Sequence, residues 1–283
     1  MPPSSATVQI TGLRSPFTVA QLPPALWELW QRRELLAHMT VRHLKGQFKQ
    51  SVLGYAWTLV NPLSQMLILT FVFSRILQVP TGIPGVPYTL FLFMGLLPWN
   101  FFSAAVSSAT GSVSGAAGLV TKVYFPREIL PIAAILTKVV DLLVGLLILT
   151  GLMVFFGHPP AWTSAWVPLL FLVQFVFTVG ISLPLAALNL YFHDVSFLVG
   201  VALTLWFYLT PVLYPLSRVP DSYQWLFDLN PNSLFIEAYR RVVLQGISPG
   251  TERVLMGLAI SLATFVVGYY LFKKMEPGFA DSV

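Results

Sequence analysis

The sequence predicts an all-α fold: a polytopic membrane protein with six transmembrane helices, an N-terminal interfacial amphipathic helix and re-entrant helices before the last span. Two observations predict this fold class. Of the 283 residues, 56% are hydrophobic and only 10% are charged, whereas a soluble domain has roughly 25% charged residues. Several apolar stretches also reach the roughly 20 residues that a helix needs to cross the hydrocarbon layer. Much of the protein surface is therefore expected to face lipid.

The six predicted spans are long apolar runs with few charges. They cover residues 52–77, 88–109, 130–156, 166–190, 196–212 and 254–272, and the fifth is the shortest. Their uniform apolar character differs from the alternating pattern of membrane β-barrel strands. Pro62, Pro98 and Pro184 lie inside three of the spans. We expect kinks there, because proline removes a backbone hydrogen bond from a helix.

Basic residues are concentrated in segments that the predicted spans place on one side of the membrane. They lie in the N-terminal arm, in the loop between the second and third spans, and after the sixth span: Arg14, Arg32, Arg33, Arg42, Lys45, Lys49, Lys122, Arg127, Lys273 and Lys274. The positive-inside rule therefore predicts that both termini are cytoplasmic. The net charge of +5 is interpreted as attraction to anionic membrane lipids, and no nucleic-acid partner is predicted.

The chain is predicted to divide into four parts. Residues 1–24 form a flexible segment, 25–50 a cytoplasmic interfacial helix, 51–275 the six-helix transmembrane domain, and 276–283 a cytoplasmic tail. The interfacial helix is predicted because Trp27, Trp30 and other apolar residues are interspersed with the basic cluster.

Residues 213–246, between the fifth and sixth spans, combine many aromatic residues with Pro215, Pro220 and Pro231. This segment is too polar to cross the membrane and too apolar for a solvated loop. We expect two short helices that dip into the outer leaflet or pack on the bundle.

Catalytic motifs are absent from the sequence. It has no phosphate-binding loop of the form G-x-x-x-x-G-K-[ST], no cysteine, and four scattered histidines. We therefore predict that the chain is not an enzyme and holds no cofactor or metal ion.

Polar residues inside two of the spans are candidates for function. Trp57, Asn61 and Gln65 are four residues apart and share one face of the first span. They either form hydrogen bonds between helices or line a pathway, and the sequence does not favour one alternative. Lys138 and Asp141, three residues apart, are interpreted as an ion pair that fixes helix packing rather than as a proton relay.

Aromatic residues are dense around Trp99 in the second span and around Trp206 and Tyr208 in the fifth. An aromatic belt at the membrane surface is the simpler interpretation. Aromatic faces also stack on sugar rings, so these residues are secondary candidates for a substrate pathway.

An ordered set of motifs resembles a known family from about residue 35 to the C-terminus. The motifs are FKQSVLG at 48–54, Trp57, Asn61-Pro62, GLLPW at 95–99, KVYFPR at 122–127, NLYFHD at 189–194, PVLYP at 211–215 and Asn230-Pro231. This set resembles the permease subunits of type-2 ABC exporters for lipid-linked polysaccharides, which include O-antigen, capsule and teichoic acid exporters.

The resemblance implies a homodimer in the bacterial inner membrane, with two separate ATPase subunits that bind ATP and Mg. It implies an ATPase-coupling helix at 118–127, with Lys122, Val123, Tyr124, Phe125 and Arg127, and a second contact at His193-Asp194. The polar and aromatic faces of spans one and five, together with Trp99 of the second span and Tyr214 after the fifth, would line the glycan pathway: Trp57, Asn61, Gln65, Trp99, Trp206, Tyr208 and Tyr214. The basic interface, Arg32, Arg33, Arg42, Lys45 and Lys49, would receive the pyrophosphate of the lipid carrier.

Three other functions are alternatives for a membrane chain of this kind. An ABC exporter of a drug or small lipid would share the same fold. A proton-coupled carrier would need more ionisable groups inside the membrane. A membrane transferase would need a nucleophile, a carboxylate constellation or a metal motif, and the sequence shows none.

Overall fold

The computed structural model describes residues 22–47, 51–120 and 125–280, and their regular structure is helical. The helices within these ranges are α1 (Leu22–Gln31), α2 (Arg33–Gln47), α3 (Trp57–Thr70), α4 (Tyr88–Thr110), α5 (Ala117–Val120), α6 (Ile129–Phe155), α7 (Val167–Tyr191), α8 (Val195–Tyr208), α9 (Gln224–Asp228), α10 (Pro231–Val243) and α11 (Thr251–Met275). The predicted all-α fold class is confirmed.

Five helical stretches in the described residues are long and apolar enough to cross a membrane. They are Gly54–Ile76, Tyr88–Thr110, Ile129–Phe155, Trp162–Tyr191 and Thr251–Phe279. The remaining predicted span forms α8, which has 14 residues and a length of about 21 Å at 1.5 Å per residue. The prediction of six apolar helices holds, but α8 is shorter than the roughly 30 Å of the hydrocarbon layer.

The N-terminal helix differs from its predicted boundaries. It begins at Leu22, inside the segment predicted to be flexible, and is divided into α1 and α2 at Arg32. Leu22 is buried in the same apolar cluster as Phe279 near the other end of the chain. The rest of the predicted flexible segment, residues 1–21, lies outside the described residues.

Helix α4 lies at the centre of the bundle and packs against α3, α6, α7, α8 and α10. Most of its side chains are buried, from Tyr88 to Thr110. This agrees with its sequence, which is apolar around the whole helix and carries no charge. In contrast, Met66 is the buried residue of α3, so α3 lies at the periphery with its apolar side chains outward.

Helices α7 and α11 form the closest helix contact around two glycines. A Cβ atom added to Gly180 would lie 2.6 Å from the backbone nitrogen of Phe265, and one added to Gly268 would overlap the carbonyl oxygen of Gly180. The two backbones approach because neither glycine has a side chain, which is typical of membrane helix interfaces.

A buried ionic cluster joins the start of α6 to the end of α11. Glu128 is 1% exposed and accepts hydrogen bonds from Lys273 Nζ at 2.9 Å and from the Tyr269 hydroxyl at 2.8 Å. Lys273 also contacts the Glu276 carboxylate at 3.0 Å. We call the end of the bundle that holds this cluster the basic end, because α2 and the C-terminal residues also pack there.

The opposite end is closed by residues 210–243, which include the predicted pair of short helices, α9 and α10. Arg240 of α10 is 1% exposed, and its guanidinium lies 3.6 Å from the ring centroid of Phe91 in α4. It donates hydrogen bonds to the carbonyl oxygens of Pro211 at 2.7 Å and Val212 at 2.8 Å. Its ion-pair partner is Glu237, at 3.0 Å.

Asn230 connects this segment to α8. Its side chain accepts a hydrogen bond from Trp206 Nε1 at 2.9 Å and donates to the Leu209 carbonyl and the Thr210 hydroxyl, both at 3.0 Å. It also caps α10 by accepting from the backbone nitrogen of Asn232 at 3.1 Å. The end of α8 and the start of α10 are therefore held together.

Candidate functional site

A cavity of about 450 Å³ lies between α3, α4, α6 and α8. We call it the span cavity and define it by Trp57, Asn61, Gln65, Asn100 and Asp141, which all line it. The spacing of four residues places the three α3 residues on one face, and that face is directed to the cavity. The structure therefore brings together polar groups from three apolar helices.

The α3 residues differ in their hydrogen bonding. Gln65 accepts a hydrogen bond from Asn100 Nδ2 at 2.9 Å, so it ties α3 to α4. The Asn61 side chain is exposed to the cavity, and no described residue hydrogen-bonds with it. Trp57 is 41% exposed. Gln65 therefore forms a hydrogen bond between helices, which was one alternative from the sequence. Trp57 and Asn61 face open space, as the other alternative, the lining of a pathway, requires.

A second cavity, of about 940 Å³, lies between α2, the end of α4 and the start of α6 at the basic end. We call it the basic cavity and define it by Arg42, His43, Ser108, Ser112 and Lys138. Gly111, Gly115 and Gly118 also line it. The described residues that line it include no carboxylate, so the cavity favours an anion.

Lys138 lines both cavities. Its Nζ donates a hydrogen bond to Gln47 Oε1 in α2 at 3.0 Å and lies 3.7 Å from Asp141 Oδ2. The ion pair expected between Lys138 and Asp141 is present. The pair lies beside the polar face of α3, and the sequence spacing gave no indication of that position.

The predicted basic interface is only partly assembled around this cavity. Arg42 lines the basic cavity. Arg32 and Lys45 are exposed outside it, and Arg33 lies over the Trp30 ring at 5.7 Å. Lys49 lies outside the described residues.

The other aromatic residues predicted to line the pathway do not line the span cavity. Trp99 is 5% exposed and packs between Phe102 and Phe207. Trp206 is bonded to Asn230, as described above. The Tyr214 hydroxyl donates to the Tyr208 carbonyl at 2.8 Å, and Tyr208 is 61% exposed. The α8 residues that line the span cavity are Gly200 and Leu203.

The residues predicted to contact an ATPase lie at the basic end where they are described. Lys122, Val123 and Tyr124 are outside the described residues. Phe125 is buried in a non-helical turn, and Arg127 donates to the Glu276 carbonyl at 2.6 Å. The predicted coupling helix is thus helical at α5 but not at Phe125.

His193 and Asp194 are exposed in the turn between α7 and α8. Asn189 fixes this turn, because its side chain accepts from the backbone nitrogen of Ser196 at 3.0 Å and donates to the Ser114 hydroxyl at 3.0 Å. Ser114 precedes α5. The two loops predicted to contact the ATPase therefore meet at one end of the bundle.

The burial and positive charges of the basic cavity affect the pKa of His43. Burial lowers the pKa of His43, and the neighbouring positive charges of Arg42 and Lys138 lower it further. His43 is outside the spans, in α2. Its imidazole is therefore held in the neutral form at pH values where an ordinary histidine begins to take up a proton.

Replacing Arg42 by glutamine is expected to raise the pKa of His43, because one nearby positive charge is removed. The pKa should stay below its ordinary value, since burial and Lys138 remain. An NMR titration of histidine-labelled protein, with His43→Gln for assignment, measures this. Lys45→Gln removes an equal charge outside the cavity and should leave the value unchanged. A pKa of His43 that does not rise in Arg42→Gln would contradict the predicted field.

Comparisons with known proteins bear on this architecture. Residues 34–244 match the family model described as ABC-2 type transporter. The O-antigen export system permease protein RfbA of Myxococcus xanthus is 33% identical over 258 residues, which cover 90% of this chain and 98% of that protein. The protein of the same name from Klebsiella pneumoniae is 30% identical, over 88% of this chain and 94% of its own length.

A more distant relative, the polysialic acid transport protein KpsM of Escherichia coli, is 24% identical over 249 residues, which cover 86% of this chain and 93% of that protein. The family match covers most of the chain, including nearly all of α2, the α3 and α4 residues that line the span cavity, and the segment that holds Arg240. The chain belongs to the ABC-2 type transporter family.

Proposed function

We propose that this chain is the membrane-spanning permease subunit of an ABC transporter that exports a lipid-linked polysaccharide across the bacterial cytoplasmic membrane. This proposal depends mainly on two neighbouring cavities: one lies within the spans and has a polar face, and the other lies at the basic end and carries positive charge. An amphiphile with an anionic head and a sugar chain has matching chemistry. The names of the relatives support a polysaccharide over a drug or a small lipid.

In this proposal, ATP is hydrolysed by a separate subunit that binds ATP and Mg, because the sequence contains no phosphate-binding loop. The contact with that subunit lies at the basic end, where α5, Arg127, His193 and Asp194 are located. The positive-inside rule places this end in the cytoplasm together with both termini. The position of α1 beside Phe279 supports termini on one side.

A homodimer would complete the pathway. The span cavity lies beside α3 and α8, which also carry exposed apolar residues, including Leu67, Ile68, Val201 and Leu205. A second copy related by a two-fold axis would place the same polar face opposite the first. The pathway would then be lined from both sides by weak contacts, which permit movement of a long chain.

Trp57→Ala and Asn61→Leu are expected to lower glycan export by roughly five- to tenfold each. Each change removes a stacking surface or a hydrogen-bonding group worth about 1 kcal/mol. Export is measured as surface glycan in cells that express the permease with its ATPase subunit. Basal ATP hydrolysis of the purified complex should persist, because the ATPase contact lies elsewhere.

Leu147→Ala is the control, since Leu147 is an exposed α6 residue that does not line the span cavity. Size-exclusion chromatography establishes that each variant forms the complex. Normal export by correctly assembled Trp57→Ala and Asn61→Leu complexes would refute the proposed pathway.

A further inference from the structure

Lys138 lies at the junction of the span cavity and the basic cavity, with its side chain 14% exposed. An ammonium group has three hydrogen-bond donors. Among the described residues, one acceptor lies within ordinary hydrogen-bond distance, Gln47 Oε1 at 3.0 Å. The Asp141 carboxylate is at 3.7 Å, which is too long for a hydrogen bond. Lys138 therefore has donor capacity left for a ligand.

The charges around Lys138 differ on its two sides. On the basic-cavity side are Arg42 and His43, with the serine hydroxyls and glycines of the α4 end. On the span-cavity side, Asp141 is the acidic residue among the described lining groups, beside Asn61 and Gln65. An anion is thus favoured on one side of the ammonium, and neutral hydroxyl-bearing groups are favoured on the other.

We propose that Lys138 is a ligand-binding residue that holds the phosphate next to the first sugar of a lipid-linked glycosyl diphosphate. The diphosphate occupies the basic cavity, and the sugar enters the span cavity. This inference rests on the proposed function and assigns a role that a structural ion pair lacks. Binding moves the ammonium from Gln47 toward the phosphate, which releases the tie between α2 and α6.

The proposal predicts opposite effects for the two members of the ion pair. Lys138→Gln removes a charge-assisted hydrogen bond to the phosphate. The affinity for the ligand should therefore fall about tenfold or more, which is the expected effect of losing one such bond. Asp141→Asn removes a carboxylate that competes for the ammonium and repels phosphate, and affinity should rise roughly two- to fivefold. Lys138→Arg should keep most of the affinity. A purely structural pair predicts no gain in Asp141→Asn.

The experiment uses the complete complex in nanodiscs, with a synthetic polyprenyl diphosphate that carries one N-acetylhexosamine as the probe. Lys274→Gln, which removes an exposed charge of α11 that lines neither cavity, is the control and should bind within twofold of wild type. Competition by sugar-free polyprenyl diphosphate, inorganic pyrophosphate and phosphatidylglycerol vesicles distinguishes the sources of the phosphate. The glycosyl diphosphate should bind more tightly than all three.

Wild-type binding by folded Lys138→Gln, or weaker binding by Asp141→Asn, would overturn the assignment. If Lys138→Gln does not assemble, the other two variants decide the question. Lys138→Arg should keep most of the wild-type affinity, and Asp141→Asn should bind more tightly than wild type. Equal competition by phosphatidylglycerol would show an ordinary phospholipid site and would also overturn it. Binding is measured without transport, so these results are separate from the export test of the proposed function.

Discussion

Replacing Arg240 by methionine is expected to destabilise the protein by about 3 to 5 kcal/mol, the range for breaking a buried ion pair by removing one partner. The guanidinium satisfies two carbonyl oxygens of the turn after α8, and it packs on Phe91. Methionine fills a similar volume but leaves both carbonyls and Glu237 without this donor. The turn would then lose its attachment to α4.

The midpoint of thermal unfolding of the purified protein should fall by roughly 6 to 12 °C in Arg240→Met. Arg240→Lys should give an intermediate value, because a lysine keeps the charge but lacks the planar fork of donors. Arg241→Met is the matched control: Arg241 is the next residue, and its bond to the Ser248 carbonyl is long, at 3.4 Å, and exposed. Equal midpoints for Arg240→Met and Arg241→Met would contradict the prediction.

Replacing Gly268 by leucine is expected to prevent α7 and α11 from packing and to abolish recovery of folded protein. The atoms that an added Cβ meets belong to the backbone of Gly180, and a backbone cannot move aside as a side chain can. The cost should therefore exceed the 1 to 3 kcal/mol, roughly, of ordinary overpacking. Gly268→Ala should already lower the unfolding midpoint.

Gly151 provides the matched control, because it lies in α6 and a Cβ atom there meets nothing within 4 Å. Gly151→Ala should be neutral or slightly stabilising, since alanine is the better helix former. Substitution by alanine should therefore lower the unfolding midpoint at Gly268 but not at Gly151. Fluorescence-detected size-exclusion chromatography of detergent extracts measures the yield of folded protein for the variants of both glycines. A normal yield of monodisperse Gly268→Leu would disprove the close contact.

The helices were predictable from sequence because lipid leaves few alternatives for an apolar run of this length. The boundary errors occur where that constraint ends. α1 begins at Leu22 because this leucine is buried against the C-terminal residues, a contact between opposite ends of the chain. α8 ends at Tyr208 rather than at Val212 because Asn230 and Arg240 bind the backbone and side chains of the turn that follows.

The candidate site was predictable only in part. The spacing of Trp57, Asn61 and Gln65 predicted that they share one face, because this depends on the geometry of a single helix. Asn100 and Lys138 required knowledge of which helices pack side by side. Arg240 lies in the segment 213–246, and its buried position depends on contact with Phe91 of α4, which is 149 residues away in the chain.

The shortness of α8 has a consequence for the membrane itself. A helix of about 21 Å in a layer of about 30 Å is a hydrophobic mismatch, which a bilayer relieves by local thinning. The turn after Tyr208 does not lengthen the helix toward lipid, because Thr210, Val212 and Leu213 are buried inside the protein. α8 is also the helix that borders the span cavity through Gly200 and Leu203. The low-dielectric barrier is therefore expected to be thinner beside the cavity than along the longer helices, and a sugar chain that leaves the cavity would reach water roughly 9 Å earlier there.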